Sequence, residues 1–175
     1  KILNDFSERA TIIPLVGTVM QAKLAERAGA KAIICEGQES GGTIGKLSLF
    51  SLLPQITDAV SIPVIAAGGI ADGRGINAAL SLGASGVQLG TRFLASDECP
   101  ISDLYKDRIL KAKDISTSVI FGTIGRAARV INNRYSTKYL AAEQGEEGQD
   151  ALLCLSRGSL RRAAEGDAVN GALMA

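Results

Sequence analysis

The 175-residue sequence contains no histidine, and this absence excludes more chemistry than any other feature of its composition. Histidine is the usual general base near neutral pH and the commonest ligand of transition metals in proteins. The three cysteines, Cys35, Cys99 and Cys154, are widely separated and form no CxxC pair. They are typical of reduced thiols rather than of a disulfide framework, and we predict no metal site.

The sequence also lacks an excess of one charge and a long apolar run. With 19 Lys and Arg against 18 Asp and Glu, the net charge of +1 provides no strong field to hold nucleic acid or a lipid surface. The longest apolar run, residues 62–70, contains Pro63 and two glycines and is too short to cross a bilayer as a helix. No stretch resembles a signal peptide. We therefore predict a cytoplasmic protein, and a chain that begins with Lys1 rather than Met favours a fragment of something longer.

Short apolar runs alternate with amphipathic segments over the first half of the chain. A glycine follows two of the predicted helices, at Gly29 and Gly83, where a left-handed residue ends a helix. Continuously apolar strands are typical of a parallel sheet covered by helices on both faces. A doubly wound open sheet and a (β/α)8 TIM barrel both fit, and four βα units fill half of a barrel. The pattern predicts strands at 11–17, 30–35, 62–67 and 86–89, and helices at 20–28, 47–60 and 73–82.

The pattern changes after residue 96, where charged and basic segments replace the βα rhythm. We predict three parts: barrel units at 1–96, a peripheral extension at 97–148, and a closing helix with a final turn at 149–175. Within them the sequence predicts helices at 101–113, 125–139 and 149–165, a short strand at 116–121 and a polar loop at 145–148.

Two predicted strands end in glycines, and ligands of parallel sheets bind where such strand ends meet. Gly68 and Gly69 follow the third strand, and Gly90 and Thr91 follow the fourth. Backbone amides without side chains, each before a helix start, predict a phosphate site. A glycine pair alone serves a tight turn equally well. Arg92 is interpreted either as a second charge for the phosphate or as a surface residue.

The loop at residues 36–46 follows the second strand at the same predicted rim. Glu36, directly at the strand end, is the better candidate for ligand contact, whereas Glu39 is interpreted as solvated. Gly41 and Gly42 let the backbone pass close beneath a planar ligand, although a flexible turn explains them too. Lys46 and Arg74 also follow glycines, and each is interpreted either as a charge that attracts a cofactor phosphate or as the exposed start of a helix.

Four motifs, EGQESGGTIGKL, SIPVIAAGGIADGRG, LGASGVQLGTRF and GDAVNGALMA, resemble a known family in order and spacing over about residues 12–175. This is the family of nitronate monooxygenases and FMN-dependent enoyl-ACP reductases. The stretch KAKDISTSVIFGTIGRAARVINN resembles an extension found in the reductase branch, which is the closer of the two. The resemblance implies a (β/α)8 barrel, of which this chain supplies the C-terminal half.

The resemblance also implies chemistry. It implies FMN that is bound non-covalently. In the reductase branch NADH or NADPH reduces the FMN, which then reduces an enoyl thioester in fatty-acid synthesis. In the nitronate branch oxygen reoxidises the FMN. Acyl carrier protein is an implied partner, and a homodimer is expected. The final turn, 171–175, is implied to touch the flavin. The flavin contacts that carry over are Glu36, Gly41, Gly42, Gly68, Gly69, Gln88, Leu89, Gly90 and Thr91.

Two departures from the family pattern affect this interpretation. Thr43 stands where the family has its catalytic histidine, and threonine cannot act as a base near neutral pH. The resemblance begins near the fourth barrel strand, so the strand at 11–17 would be an unpaired apolar edge that a second copy or further sequence must cover. Two alternatives therefore stay open: an enzyme for a phosphorylated metabolite, as in isomerases and synthases on this barrel, and a catalytically silent flavin-binding fragment.

Overall fold

The computed structural model describes residues 10–145 and 148–175, which divide into two units. Of the described residues, the first unit comprises 10–40 and 44–89, and the second comprises 41–43, 90–145 and 148–175. The elements in chain order are β1 (Leu15–Val16), α1 (Val19–Arg27), β2 (Ile33–Glu36), β3 (Gly42–Thr43), α2 (Leu49–Thr57), β4 (Val64–Ala67), α3 (Gly73–Ser81), β5 (Gly86–Gln88), α4 (Thr91–Leu94), α5 (Asp103–Lys111), β6 (Thr117–Ile120), β7 (Ala128–Ile131), α6 (Arg134–Gln144), α7 (Gln149–Ser156) and α8 (Ser159–Ala164).

The first unit is a four-stranded parallel sheet in the order β1-β2-β4-β5, with helices between successive strands. This confirms the predicted α/β class. The helix-ending glycines are confirmed as well, since Gly29 and Gly83 have φ values of +91° and +96°. The predicted strand at 11–17 is too long, because pairing is limited to Leu15–Val16. Pro14 accepts a hydrogen bond from the Ile34 amide but has no N–H with which to extend the ladder.

The core of the first unit lies between the two central strands and helix α2. Ile33, Cys35 and Ala66 are fully buried in β2 and β4. Helix α2 buries four side chains spaced at i, i+3, i+4 and i+7, which form one apolar stripe against the sheet. These are Leu49, Leu52, Leu53 and Ile56. Burial on both faces explains why the strands read as uninterrupted apolar runs.

The second unit contains a three-stranded antiparallel sheet in the order β3-β7-β6. The helix at 101–113 and the strand at 116–121 are confirmed as α5 and β6. The helix predicted at 125–139 is wrong, because the segment divides into β7 and the start of α6. Buried Ala128 and Val130 alternate with half-buried Arg129, and the Asn133 side chain then caps α6 by accepting from the Ser136 amide.

The helix predicted at 149–165 is also interrupted. Gly158 has a φ of +66°, a left-handed conformation that ends α7 and lets α8 begin in a new direction. The chain end is then fixed from two sides: the Asn133 side chain donates to the carbonyls of Ala168 and Gly171, both at 2.8 Å, and the Tyr105 hydroxyl donates to the Met174 carbonyl at 2.8 Å. None of the helices in the described ranges has the length and hydropathy needed to cross a bilayer.

Candidate functional site

The carboxyl ends of three strands lie side by side in the first unit. Glu36 on β2 is in register with Ala67 on β4, and Ala67 is in register with Gln88 on β5. Gly68 and Gly69 follow Ala67 directly. The structure therefore places Glu36, Gly68, Gly69 and Gln88, all taken from the sequence as candidate contacts, along one edge of one sheet. Such an edge is where ligands of parallel sheets bind.

Glu36 is the most unusual side chain at this edge. It is only 8% exposed, and burial raises the pKa of its carboxyl group above the ordinary value. The Glu36 side chain makes no hydrogen bond to any other residue that the structure describes. Burial of the residue disfavours the charged form of this carboxyl group, although its oxygens are not among the fully buried atoms that lack a partner. The arrangement can accept a hydrogen bond from the hydroxyl group of a ligand at the strand ends.

The two glycines after β4 are required by the packing of the loop at 37–40. Gly68 and Gly69 have φ values of +115° and +68°. A Cβ atom at Gly68 would lie 2.6 Å from Ser40 Oγ, and one at Gly69 would lie 3.0 Å from the Cβ of Glu39. Ser40 is itself buried and donates to the Ala67 carbonyl at 3.3 Å. Loop packing alone therefore explains this glycine pair, and its role in holding phosphate stays a prediction.

Glu39 and Ser40 have structural roles that the sequence did not reveal. Glu39 is exposed, as expected, but it is more than solvated, because its Oε2 accepts a hydrogen bond of 2.9 Å from the Leu49 amide at the start of α2. Ser48, in the position of the N-cap, makes no such bond. Glu39 lies ten residues before the helix, and no capping motif in the sequence connects the two. Only the folded loop shows that Glu39 caps α2.

In the second unit, three of the candidate positions meet at the end of the chain. A Cβ atom at Gly41 would overlap the carbonyl oxygen of Ala175 and lie 2.9 Å from Thr91 Oγ1. The Ala175 amide donates to the Arg129 carbonyl of β7 at 3.1 Å. Gly41, Thr91 and the final turn, which the family resemblance assigns together to the flavin, are thus neighbours within this unit.

Gly42 and Thr43 form β3 and pair with Arg129 and Ala128 of β7. The Thr43 side chain is exposed, and its hydroxyl makes no hydrogen bond within the described part of the chain. Gly90 precedes the four-residue helix α4, and a Cβ atom there would meet nothing within 4 Å. Thr43 and Gly90 are therefore accessible positions where a side chain can be changed without disturbing local packing.

The remaining reactive groups offer little chemistry. Burial raises the pKa of the Cys35 thiol to about 12, so this thiol stays protonated and unreactive. Cys99 is half-buried and Cys154 is exposed, and neither forms a disulfide. Among residues 10–145 and 148–175, no three His, Cys, Asp or Glu side chains gather in a way that could hold a metal ion.

Comparisons with known proteins agree with the motifs. The family model described as nitronate monooxygenase matches residues 4–157. A probable nitronate monooxygenase from Staphylococcus aureus (strain Newman) is 44% identical over 140 residues, covering 73% of this chain and 39% of its own length. The chain thus spans about two fifths of this curated relative.

Two solved structures are similar over almost the whole chain. FabK from Thermotoga maritima has a TM-score of 0.94 and 44% sequence identity, covering 98% of this chain and 55% of that one. A nitroalkane oxidase from Streptomyces ansochromogenes has a TM-score of 0.75 and 35% identity, covering 92% of this chain and 49% of that one. The chain therefore corresponds to about half of each solved relative.

Proposed function

This chain belongs to the nitronate monooxygenase family of oxidoreductases, and we propose that it forms the flavin-binding C-terminal half of an FMN-dependent enzyme that reduces an enoyl thioester with NADH or NADPH. The observation that carries this proposal is the largely buried Glu36 side chain at three aligned strand ends, which makes no hydrogen bond to any residue that the structure describes. Its setting fits the ribityl chain of FMN, whose hydroxyl groups donate and accept hydrogen bonds.

We propose a distinct contribution from each unit. In the first unit Glu36, Gln88 and Leu89 would hold the ribityl chain, and the amides of Gly68 and Gly69 would face the phosphate. Gly41, Gly42, Gly90 and Thr91 belong to the second unit, and we carry them over as flavin contacts on the family resemblance alone. FMN, when bound, supplies hydride transfer, while the chain binds and orients it and excludes water. Acyl carrier protein as the carrier of the substrate, assembly as a homodimer and a cytoplasmic location are further parts of the proposal.

Reduction is favoured over nitronate oxidation by structural similarity. The TM-score is 0.94 and 0.84 to two structures of FabK and 0.75 to the nitroalkane oxidase, over similar shares of this chain. Nitronate oxidation is the second candidate, and the curated relatives named as probable nitronate monooxygenases support it. The residue at position 43 also affects the choice between thioester reduction and nitronate oxidation. The family histidine would move a proton there, whereas Thr43 can donate a hydrogen bond but cannot serve as a base near neutral pH.

The first experiment is to purify the full-length protein that contains this sequence and to identify its chromophore. We expect visible flavin absorption and release of FMN on denaturation. Oxidation of NADH or NADPH should then depend on an enoyl thioester, while oxygen uptake with an alkyl nitronate should be weak. Colourless protein that cannot be loaded with FMN would refute the proposal, and fast nitronate oxidation without thioester reduction would support the second candidate.

The second experiment restores the imidazole at position 43. Because the Thr43 side chain is exposed on a two-residue strand, Thr43→His should fold normally. We expect reduction of the flavin by the nicotinamide to be unchanged and the substrate half-reaction to rise about a hundredfold, the usual contribution of a general acid–base. Thr43→Val is the matched control and should leave both rates unchanged. Stopped-flow measurement of both half-reactions tests this, and equal rates in all three proteins would show that position 43 moves no proton.

A further inference from the structure

A pocket of about 340 Å³ lies within the second unit, among helices α6, α7 and α8 and the turn at 167–171. Its polar lining consists of Arg134, Tyr135, Lys138, Cys154, Arg162 and Asn170, together with two aliphatic side chains. The volume is at the lower end of the range for small-molecule sites, about 300–1,000 Å³. The pocket can therefore hold a ligand of modest size.

The lining of this pocket is cationic. Three cationic side chains line it, and no carboxylate does. Among the described residues, the ion pairs are Arg74–Asp72, Lys111–Asp107 and Arg161–Glu165, and none of them includes a lining residue. Arg134 and Lys138 are four residues apart on α6, a spacing at which like charges repel. An anion in the pocket would remove this repulsion.

Arg162 is held in place for such an anion. Its Nε donates to the Asn170 carbonyl and its Nη1 donates to the Arg157 carbonyl, both at 3.1 Å. Its Nη2 makes no hydrogen bond within the described part of the chain. Asp167 accepts from the amides of Val169 and Asn170 and from the Asn170 side chain, and its charge offsets part of that of Arg162 without a direct ion pair. The guanidinium group is thus fixed with donors left for a ligand.

We propose that this pocket binds a phosphate group of a small phosphorylated ligand, at a site separate from the proposed flavin contacts. Two arginines and a lysine match the charge and the several acceptor oxygens of phosphate, and guanidinium groups can bind phosphate in a bidentate manner. The volume leaves room for part of the organic group that carries it. Two phosphorylated sources share this chemistry: the 3′-phosphorylated adenosine end of a coenzyme A thioester, and the 2′-phosphorylated adenosine end of NADPH.

Calorimetric titration of the full-length holoprotein tests the site and distinguishes the sources. The probes are adenosine 3′,5′-bisphosphate, adenosine 2′,5′-bisphosphate and unphosphorylated adenosine. We expect one bisphosphate to bind more tightly than the other and far more tightly than adenosine, with affinity that falls as salt is added. Tighter binding of the 3′,5′ compound identifies the coenzyme A source, and tighter binding of the 2′,5′ compound identifies NADPH. Equal binding of adenosine and both bisphosphates would overturn the proposal.

Two substitutions locate the binding. Arg134→Gln and Lys138→Gln should each weaken bisphosphate binding about tenfold, as expected for loss of a charge-assisted hydrogen bond. Neither side chain makes a hydrogen bond in the described ranges, so both variants should fold. Arg108→Gln, at an exposed position of α5 in the same unit, removes the same charge outside the pocket and should leave affinity unchanged. Equal weakening by all three variants would show a diffuse charge effect instead of a site.

Cys154 gives a readout that does not depend on these variants. It lines the pocket and is exposed, whereas Cys99 lies outside the pocket and serves as an internal control. We expect a saturating bisphosphate to slow alkylation of Cys154 by iodoacetamide severalfold and to leave Cys99 unaffected. Unchanged alkylation of Cys154 in the presence of bound bisphosphate would place the ligand elsewhere and overturn the assignment.

Discussion

Gly68 of the first unit and Gly90 of the second both follow a strand of the parallel sheet, but they are under different constraints. Gly68 has a φ of +115° and leaves no room for a Cβ atom beneath Ser40. Gly90 has a φ of −103°, which any residue adopts, and open space around its Cα atom. The fold requires glycine at position 68, whereas the fold alone does not require it at position 90. Two glycines with the same sequence signature therefore call for different explanations.

The largest effect that this comparison predicts is the loss of stability in Gly68→Ala. The new methyl group would force both an unfavourable φ and a contact of 2.6 Å with Ser40 Oγ. Strain and overpacking together should cost roughly 3 kcal/mol or more in the free energy of unfolding. Urea denaturation of the full-length protein measures it. Gly73→Ala is the control, because a Cβ atom there meets nothing within 4 Å and the new alanine favours the helix. Similar stability in both variants would contradict the packing argument.

The sequence predicted the first unit well because one physical pattern dominates it. Apolar strands buried on both faces, joined by amphipathic helices and helix-ending glycines, leave one arrangement, a parallel sheet. The edge formed by Glu36 and Gln88 follows from that arrangement, since strand ends of a parallel sheet must meet. What the sequence could not predict was the loop at 37–40, whose contacts with Gly68 depend on tertiary packing.

The second unit was predicted less well because its contacts are distant in sequence. The two-residue strand β3 pairs with β7 across more than eighty residues. The stretch 125–139 is mostly polar and basic. Apolar and polar residues alternate as in a strand only at Ala128–Ile131, and this short pattern is weak compared with that of the helix that follows. The sequence pattern therefore places Arg134 and Lys138 in one basic helix. The pocket they share with Arg162 becomes visible only when α6 and α8 are packed together.

The second prediction concerns Gly90→Val. Because the protein leaves open space at this position, the variant should keep the stability of the parent while losing flavin. We expect FMN affinity to fall about a hundredfold, the equivalent of two charge-assisted hydrogen bonds of roughly 1.5 kcal/mol each. Fluorescence titration of the apoprotein with FMN measures this. Gly86→Val, at the other end of β5 and also in open space, is the matched control. Full flavin occupancy in purified Gly90→Val would show that no phosphate approaches this backbone.

The third prediction is a moderate effect at Glu36. Since burial raises the folded-state pKa of this carboxyl above its ordinary value of 4.5, ionising it opposes folding. Its contribution to stability is therefore present below that value and is lost as the pH rises through the raised pKa. In the apoprotein, Glu36→Gln should raise the melting temperature at pH 7, and the gain should shrink as the pH approaches 4.

The same substitution should have the opposite sign for ligand binding. An amide replaces the carboxylate that would accept from the ribityl hydroxyl groups, so we expect FMN to bind about tenfold more weakly. A stability gain together with weaker binding would mean that Glu36 lowers the stability of the apoprotein and strengthens the binding of FMN. If Glu36→Gln lost stability at every pH and bound FMN normally, Glu36 would be a structural residue instead.

The smallest effects are expected at Lys46 and Arg74, the basic residues that follow glycines in the first unit. Arg74 is already engaged: its Nη2 lies 2.6 Å from Asp72 Oδ2, and hydrogen bonding to Arg74 lowers the pKa of Asp72 to about 2. This pair is well exposed, so its loss should change little beyond the pKa of Asp72, which should rise towards its ordinary value.

Lys46 is exposed and makes no hydrogen bond within the described residues. Arg74→Ala and Lys46→Ala should therefore retain the flavin spectrum and change the KM for the nicotinamide by about twofold at most. A colourless Lys46→Ala protein would reverse the ranking, because it would make this lysine, rather than the strand-end backbone, the principal phosphate contact.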